Sequence, residues 1–199
     1  MGMIKTKLST ALDKFGEDFE IIRQGGNIDL KGKLGRVKRV TIPWAMQHLK
    51  DVIFGPEETI NPNDIIHNKT QDIYFFIYTL HKQYKSTILV AQVATLLDAD
   101  SLCDIQRLDG ETGSFGGTKQ TFQNQATDVR YHIREIISDM RVERPALLER
   151  ALVLLYIRNT EDLHVLDRIV IDSRNYQVEH INKTTFQGLI EAQMSLDKR

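Results

Sequence analysis

The sequence predicts a mainly β fold with a few short helices, arranged as two similar small β-barrel or sandwich domains in tandem. Three observations predict it. Short apolar runs rich in β-branched and aromatic residues recur between turn signals. The second half of the chain repeats the first with a spacing of about one hundred residues, far beyond solenoid periods of roughly 20–50 residues. Each copy reads as strand, turn-rich crossing, strand, acidic turn and hairpin. The domain boundary falls near the middle of the 199 residues, giving 1–100 as a first β domain with an N-terminal helix and 101–199 as a second.

Along the chain, Ile4, Leu8, Leu12 and Phe15 recur at helical spacing, so 3–15 reads as a short amphipathic helix stopped by Gly16. Phe19 to Arg23 reads as a strand leading to a Gly25-Gly26-Asn27 turn, and Lys33 to Ile42 as another strand, broken by Pro43. Trp44 to Phe54 stays open between a short helix and a helix followed by a strand. Ile73 to Leu80 and Ile88 to Leu97 form a hairpin across the polar stretch His81 to Ser86. Asp109 to Thr121, with its cluster of glycines, reads as the clearest loop. Ala146 to Ile157 is either a buried helix starting at Pro145 or a loop followed by a strand.

The repeat is ungapped where it is strongest. DVIFGPEETINPNDII (51–66) lies over LLYIRNTEDLHVLDRI (154–169), so Val52-Ile53-Phe54 meets Leu155-Tyr156-Ile157, and Asp64-Ile65-Ile66 meets Asp167-Arg168-Ile169. Tyr74 falls on Tyr176 and Ala91-Gln92 on Ala192-Gln193 after small slips. Upstream, Phe19-Glu20-Ile21-Ile22-Arg23 matches Cys103-Asp104-Ile105-Gln106-Arg107. The overlay favours a strand for the end of the Ala146–Ile157 run.

With 27% charged residues, 41% apolar residues and a net charge of −1, the chain can bury a core, and charge balance forces neither a nucleic-acid nor an acidic-substrate role. The one cysteine, Cys103, can form no internal disulfide. No apolar segment follows the first residues as in a signal peptide, and the longest nearly apolar run, Ala151 to Ile157, is far short of the roughly 20 residues a membrane helix needs. The expectation is a soluble protein made in the cytoplasm, with no membrane association.

Motifs for chemistry fail on inspection. Gly110 to Lys119 lacks the Gly-Lys-Ser/Thr order of a phosphate loop, because Lys119 follows Thr118 and precedes Gln120. Counted from Asp98, a calcium loop would place Leu102 and Cys103 where an oxygen ligand and glycine belong. The histidines 48, 67, 81, 132, 164 and 180 hold no zinc spacing, and no Gly-x-Ser-x-Gly elbow occurs. The expectation is therefore no catalytic, cofactor or metal residues. Lys31, Lys33, Arg36, Lys38 and Arg39 form a basic strand that suits either a nucleic-acid backbone, or an edge guarded by lysines or a salt-bridged interface. The scarcity of interleaved aromatics favours the latter pair.

The stretch Leu166-Asp167-Arg168-Ile169-Val170-Ile171-Asp172-Ser173-Arg174-Asn175-Tyr176-Gln177-Val178-Glu179 resembles the GDRIVIDGKxYEV hairpin of head-closure (head-completion, or stopper) proteins of long-tailed bacteriophages. Thr185 to Gln193 looks like that family's following segment, and Cys103 to Gly117 is similar to its opening strand and glycine-rich turn. Leu166 and Asn63 stand where the family usually has glycine, Ser173-Arg174 where Gly-Lys is expected, and family members are usually shorter, single-domain chains. The resemblance implies a non-enzymatic structural protein of the virion: a β-barrel ring component of the head–tail connector, or neck. It would partner itself in a six- or twelve-fold ring, the portal or adaptor protein and tail proteins, with DNA passing through the lumen. Its interface or lumen loops would be Glu111, Thr112, Gly113, Ser114, Phe115, Gly116, Gly117 and Thr118, with Glu57, Glu58, Asn61 and Asn63. A tail or baseplate adaptor is the alternative, and a small enzyme without a recognisable motif a more distant one.

Overall fold

The structure, a computed structural model, describes residues 3–23, 25–36, 49–112 and 118–199. The chain divides into two compact units, Met1–Asp100 with Phe186–Leu189, and Ser101–Thr185 with Ile190–Arg199. Each contains one closed six-stranded antiparallel barrel.

The first unit opens with α1 (Met3–Phe15), then β1 (Glu17–Ile22), β2 (Ile28–Arg36), β3 (Leu49–Phe54), β4 (Ile65–Asn68), β5 (Ile73–Lys85) and β6 (Ile88–Asp98). The Gly16 amide donates to the Leu12 carbonyl at 2.7 Å and ends the helix. Leu12 is buried as its spacing predicts, but Phe15 is 70% exposed, so the apolar face ends one turn early. The second unit holds β7 (Ser101–Thr112), β8 (Thr118–Glu135), the short α2 (Ser138–Glu143), β9 (Val153–Arg158), β10 (Arg168–Ile171), β11 (Arg174–Asn182) and β12 (Leu189–Leu196). The open choice at Ala146–Ile157 resolves as a loop and then strand β9.

The barrels close in one order: β1-β2-β3-β6-β5-β4 in the first, and β7-β8-β9-β12-β11-β10 in the second. Equivalent strands place equivalent side chains inside. Ile21 and Ile105, Val52 and Leu155, Phe54 and Ile157, Ile60 and Leu163, and Ile66 and Ile169 all lie in the two cores.

The two interiors reach density by different residues. In the first, Phe19 and Phe54 meet edge to face, centroids 5.6 Å apart at 81°. Room for them comes from Gly32, where an added Cβ would stand 2.8 Å from both the Phe54 and Val52 side chains. Gly32 lies opposite Glu17 on β1, and Tyr131 opposite Ser101 on β7. By the repeat, then, Gly32 and Tyr131 occupy one position. Where the first barrel has Phe19, Phe54 and glycine, the second has Cys103, Ile157 and tyrosine, all buried. Close packing requires such exchange, since a void or an excess methylene is destabilising.

Strand β12 is buried on both faces. Ile190, Ala192 and Met194 face the core, while Glu191 and Gln193 are covered by the segment after α2. Arg144 holds Glu191 through two guanidinium bonds (3.0 and 2.5 Å), Tyr156 donates its hydroxyl to the same carboxylate at 2.8 Å, and Gln193 bonds Leu148 and Ala146 main-chain groups.

Several boundaries correct the sequence reading. His81 to Ser86 is not a separate polar turn: β5 runs on to Lys85 and the turn is Ser86-Thr87 alone. Asp109 to Thr121 is not a long loop: β7 and β8 stay in register out to Thr112 opposite Thr118, so Glu111, Thr112 and Thr118 are strand residues. Backbone pairing in an extended hairpin overrides the turn preference of Asp and Gly there. β2 begins at Ile28, directly after the Gly25-Gly26-Asn27 turn and ahead of the strand start expected at Lys33. The hairpin turn between β10 and β11 is Asp172-Ser173, both at positive φ (46° and 66°), one residue earlier than the family pattern implies.

Candidate functional site

The strongest local geometry occurs twice. Arg23 follows β1 and Asp64 precedes β4, so the chain ends meet at one rim of the first barrel. The Arg23 guanidinium donates from Nε to Asp64 Oδ1 (2.6 Å) and from Nη2 to Asp64 Oδ2 (2.5 Å) and the Thr59 carbonyl (2.6 Å). Asp64 Oδ2 also accepts the Asn61 amide at 2.7 Å. In the second barrel Arg107 donates from Nε and Nη2 to Asp167 Oδ1 and Oδ2, both at 2.9 Å, and from Nη2 to the Asp162 carbonyl at 3.1 Å. Asp167 Oδ2 accepts the His164 amide at 2.8 Å. A single offset of 103 residues carries Thr59, Asn61 and Asp64 onto Asp162, His164 and Asp167.

Both carboxylates are deeply buried, Asp64 5% and Asp167 2% exposed. Their hydrogen bonds raise the pKa of Arg23 and Arg107 above the ordinary guanidinium value, Asp64 and Asp167 being the main partners. Asp162, which also accepts from Arg107, is held below the usual carboxylate range by that bond. A buried bidentate pair whose two carboxylate oxygens both accept from the arginine, one of them also from a main-chain amide, acts as a structural clamp, fixing the loop between the third and fourth strands of each barrel. Sequence reasoning aligned all four residues but did not couple them. The signal available was the repeat itself, which keeps both charges while the sequence between them changes.

The clamp holds in place one of the two loops predicted as interface. Glu57, Asn61 and Asn63 are exposed, but they lie on a loop tied down by Arg23, and the Gln92 side-chain amide bonds the Glu58 and Gly55 carbonyls. Burial raises the Glu58 pKa. Gly113, Ser114, Phe115, Gly116 and Gly117 lie outside the described residues. Of the basic strand, Lys31, Lys33 and Arg36 lie on β2 while Lys38 and Arg39 lie outside the described residues. β2 pairs with β1 over Ile28–Gly32 and with β3 over Gly32–Arg36, so Lys31 is paired on the β1 side alone and Lys33 and Arg36 on the β3 side alone. Lys31 forms an ion pair with Asp18 at 2.5 Å, and Lys33 reaches the Phe15 carbonyl.

A second knot was not foreseen. Asp197 accepts from Arg168 Nε at 2.7 Å and from Arg199 Nε at 2.9 Å, and the Arg168 guanidinium lies 3.3 Å from the Phe122 ring centroid. It ties the last residues to β10 and to the root of the β7–β8 hairpin.

Open grooves of about 470 Å³ (Asp18, Asp29, Lys31, Lys69) and about 510 Å³ (Leu12, Asp13, Glu57, Glu58) lie on the first barrel. Among the described residues no three His, Cys, Asp or Glu side chains converge as metal ligands would, and no helix is long and apolar enough to cross a membrane.

What does stand clear of each barrel is a hairpin. In the first unit β5 and β6 pair out to Lys85 and Ile88, although β4 accompanies β5 only over Ile73–Phe76. In the second β7 and β8 pair out to Thr112 and Thr118, although β10 accompanies β7 only over Asp104–Gln106. These arms are not equivalent by the repeat: the first barrel extends its fifth and sixth strands, the second its first and second.

The fold defines a protein of two tandem closed barrels. No family model matches the chain, and no curated protein matches it. Among solved structures, one titled as MrkH, a novel c-di-GMP dependence transcription regulatory factor, matches with a TM-score of 0.26 and 10% identity, covering 99% of this chain and 83% of that chain. K. pneumonia MrkH in its apo state gives 0.20 and 8%, covering 99% and 84%. Superposition this poor carries no argument about either fold or function.

Proposed function

We propose that this chain is a non-enzymatic structural protein of a long-tailed bacteriophage, a ring component of the neck that joins or seals the DNA-filled head to the tail. The observation that carries the reading is the doubled barrel with its doubled clamp. The segment Asp167 to Glu179, on which the resemblance to head-closure proteins rests, is the clamp aspartate followed by the β10–β11 hairpin. A frame stiffened twice in the same way, with an arm on each barrel, suits a building block whose task is geometric and calls for no reacting group. A doubled chain also lets six copies supply twelve barrels.

The reading is tested by complementation. A phage lacking this gene is supplied with the chain carrying a deletion of Gly113 to Gly117. The expected result is a folded protein by circular dichroism that fails to join heads to tails, with DNA-filled, tailless heads in electron micrographs. Normal joining by the deletion variant overturns the role of the arm tip, and normal virions in the absence of the gene overturn the neck assignment.

A further inference from the structure

We propose that copies of this chain join head to tail by strand addition, the outer edge of the β5 arm of one copy pairing with the outer edge of the β7 arm of the next. The proposal deepens the ring reading above by naming the partner surface, and its test stands apart from that reading.

Strands paired on both sides offer no free edge, and each arm runs past such pairing and presents an unpaired one. From Thr79 to Lys85, β5 is paired with β6 on one side, and among the described residues no strand pairs with the other. From Leu108 to Thr112, β7 is paired with β8, and again no described strand pairs with its outer side. A two-stranded ribbon alone is marginal in water, and a third strand stabilises it. The outer amides and carbonyls alternate along both stretches, so five residues of β7 fit within the seven of β5.

Charge selects which edges meet. Between Asp72 and Asp98 the sequence contains no acidic residue, and the β5 arm carries Lys82 and Lys85, both exposed. The β7 edge carries Asp109 and Glu111. Lys119 stands opposite Glu111 on β8, which leaves the second arm one net negative charge against two positive. Like arms repel each other and unlike arms attract. Because every copy holds one arm of each sign, the joint is heterologous, and a heterologous joint repeats into a closed ring or a filament. A second copy is therefore the occupant that the chain's own edges specify.

The full chain is examined by sedimentation velocity at low salt, with variants checked for folding by circular dichroism. Native chain is expected to self-associate and to dissociate as salt rises. Lys82→Glu with Lys85→Glu, and separately Asp109→Lys with Glu111→Lys, should each weaken self-association by at least about tenfold. An equimolar mixture of the two variants should regain it, since each presents the edge the other now lacks. As a second measurement, Lys82→Cys chains mixed with Asp109→Cys chains should form a mixed disulfide dimer, while either alone should not. Native chain that stays monomeric, variants that associate as native does, or a mixture that fails to recover overturns the pairing. Association untouched by the substitutions removes this joint while leaving the assembly reading to the complementation test.

Discussion

The Arg107 guanidinium grips the Asp167 carboxylate through two parallel N–H···O bonds of 2.9 Å across 60 residues of sequence. Arg23 and Asp64 repeat the grip in the first barrel across 41 residues. Both carboxylates are almost wholly buried, so removing the arginine leaves a buried charge held by a main-chain amide. Arg107→Ala and Arg23→Ala should each destabilise their own barrel by about 3 kcal/mol, the scale for breaking a buried pair from one side. Urea unfolding followed by circular dichroism measures the loss. A change under about 0.5 kcal/mol contradicts the clamp.

Leu166 should be improvable. It sits at φ 74° and is 55% exposed, so a leucine occupies a conformation that suits glycine while its side chain packs on little. A left-handed residue with a Cβ costs about 1–2 kcal/mol, and glycine returns about 0.5–1 of that through its freer unfolded state. Leu166→Gly should thus stabilise by roughly 0.5 kcal/mol, raising the melting temperature by about 1–2 °C. A lower melting temperature contradicts the strain. Asn63, its counterpart by the repeat, is not among the positive-φ residues, so the same change there should bring no gain.

The repeat was legible in sequence because inward positions recur at period two and the Asp64/Asp167 and Arg23/Arg107 pairs survive in both copies. From that pattern came the two tandem barrel-like domains and the strand at Val153–Arg158. The extent of the arms was not legible. Residues 109–121 carry the glycines and charges of a loop, and only the register with β8 makes Glu111 and Thr118 strand residues. The Gly32–Tyr131 exchange was equally hidden, since volume compensation depends on which residues face each other across strands. The clamp lay in plain view as four letters, but nothing in one dimension says that Arg23 reaches Asp64.

Gly32 offers a direct test of that exchange. A methyl group placed there would stand 2.8 Å from Phe54 and Val52 and 3.0 Å from Phe19. Gly32→Ala should destabilise the first barrel by about 1–3 kcal/mol, the usual cost of overpacking. Adding Phe54→Leu should recover part of the loss, giving a favourable coupling in a double-mutant cycle. Additive losses contradict the shared space. In the second barrel Tyr131→Gly should cost about 3–5 kcal/mol by leaving a void.

Cys103 is the natural reporter for the second barrel. Burial, reinforced by the charges of Asp104 and Glu161, pushes its thiol up to about 12. An ordinary thiol near 8.5 reacts readily at pH 8. Folded protein should therefore resist a thiol reagent at that pH, and labelling should follow opening of the barrel. With Arg107→Ala, an opening easier by about 3 kcal/mol should speed labelling about a hundredfold. Arg23→Ala, in the other unit, should leave the rate unchanged. Rapid labelling of the native chain contradicts the burial of Cys103.

The acid limb of stability should carry the signature of Asp197. Burial alone would raise its carboxyl, but hydrogen bonds from Arg199 and Arg168 outweigh that and hold it at about 2. An unfolded aspartate titrates near 3.9. Because the folded group keeps its proton off to lower pH than the unfolded one, its contribution is complete above about pH 4. It falls away as pH drops through about 2. Asp197→Asn should accordingly flatten the dependence of the urea midpoint on pH between about 4 and 2, while lowering the midpoint at pH 7. Asp162, exposed and lowered by Arg107, adds to the same limb, so Asp162→Asn should flatten it as well. If Asp197→Asn leaves the slope between those values as steep as in the native chain, the knot of Arg168, Asp197 and Arg199 does not anchor the C-terminal residues.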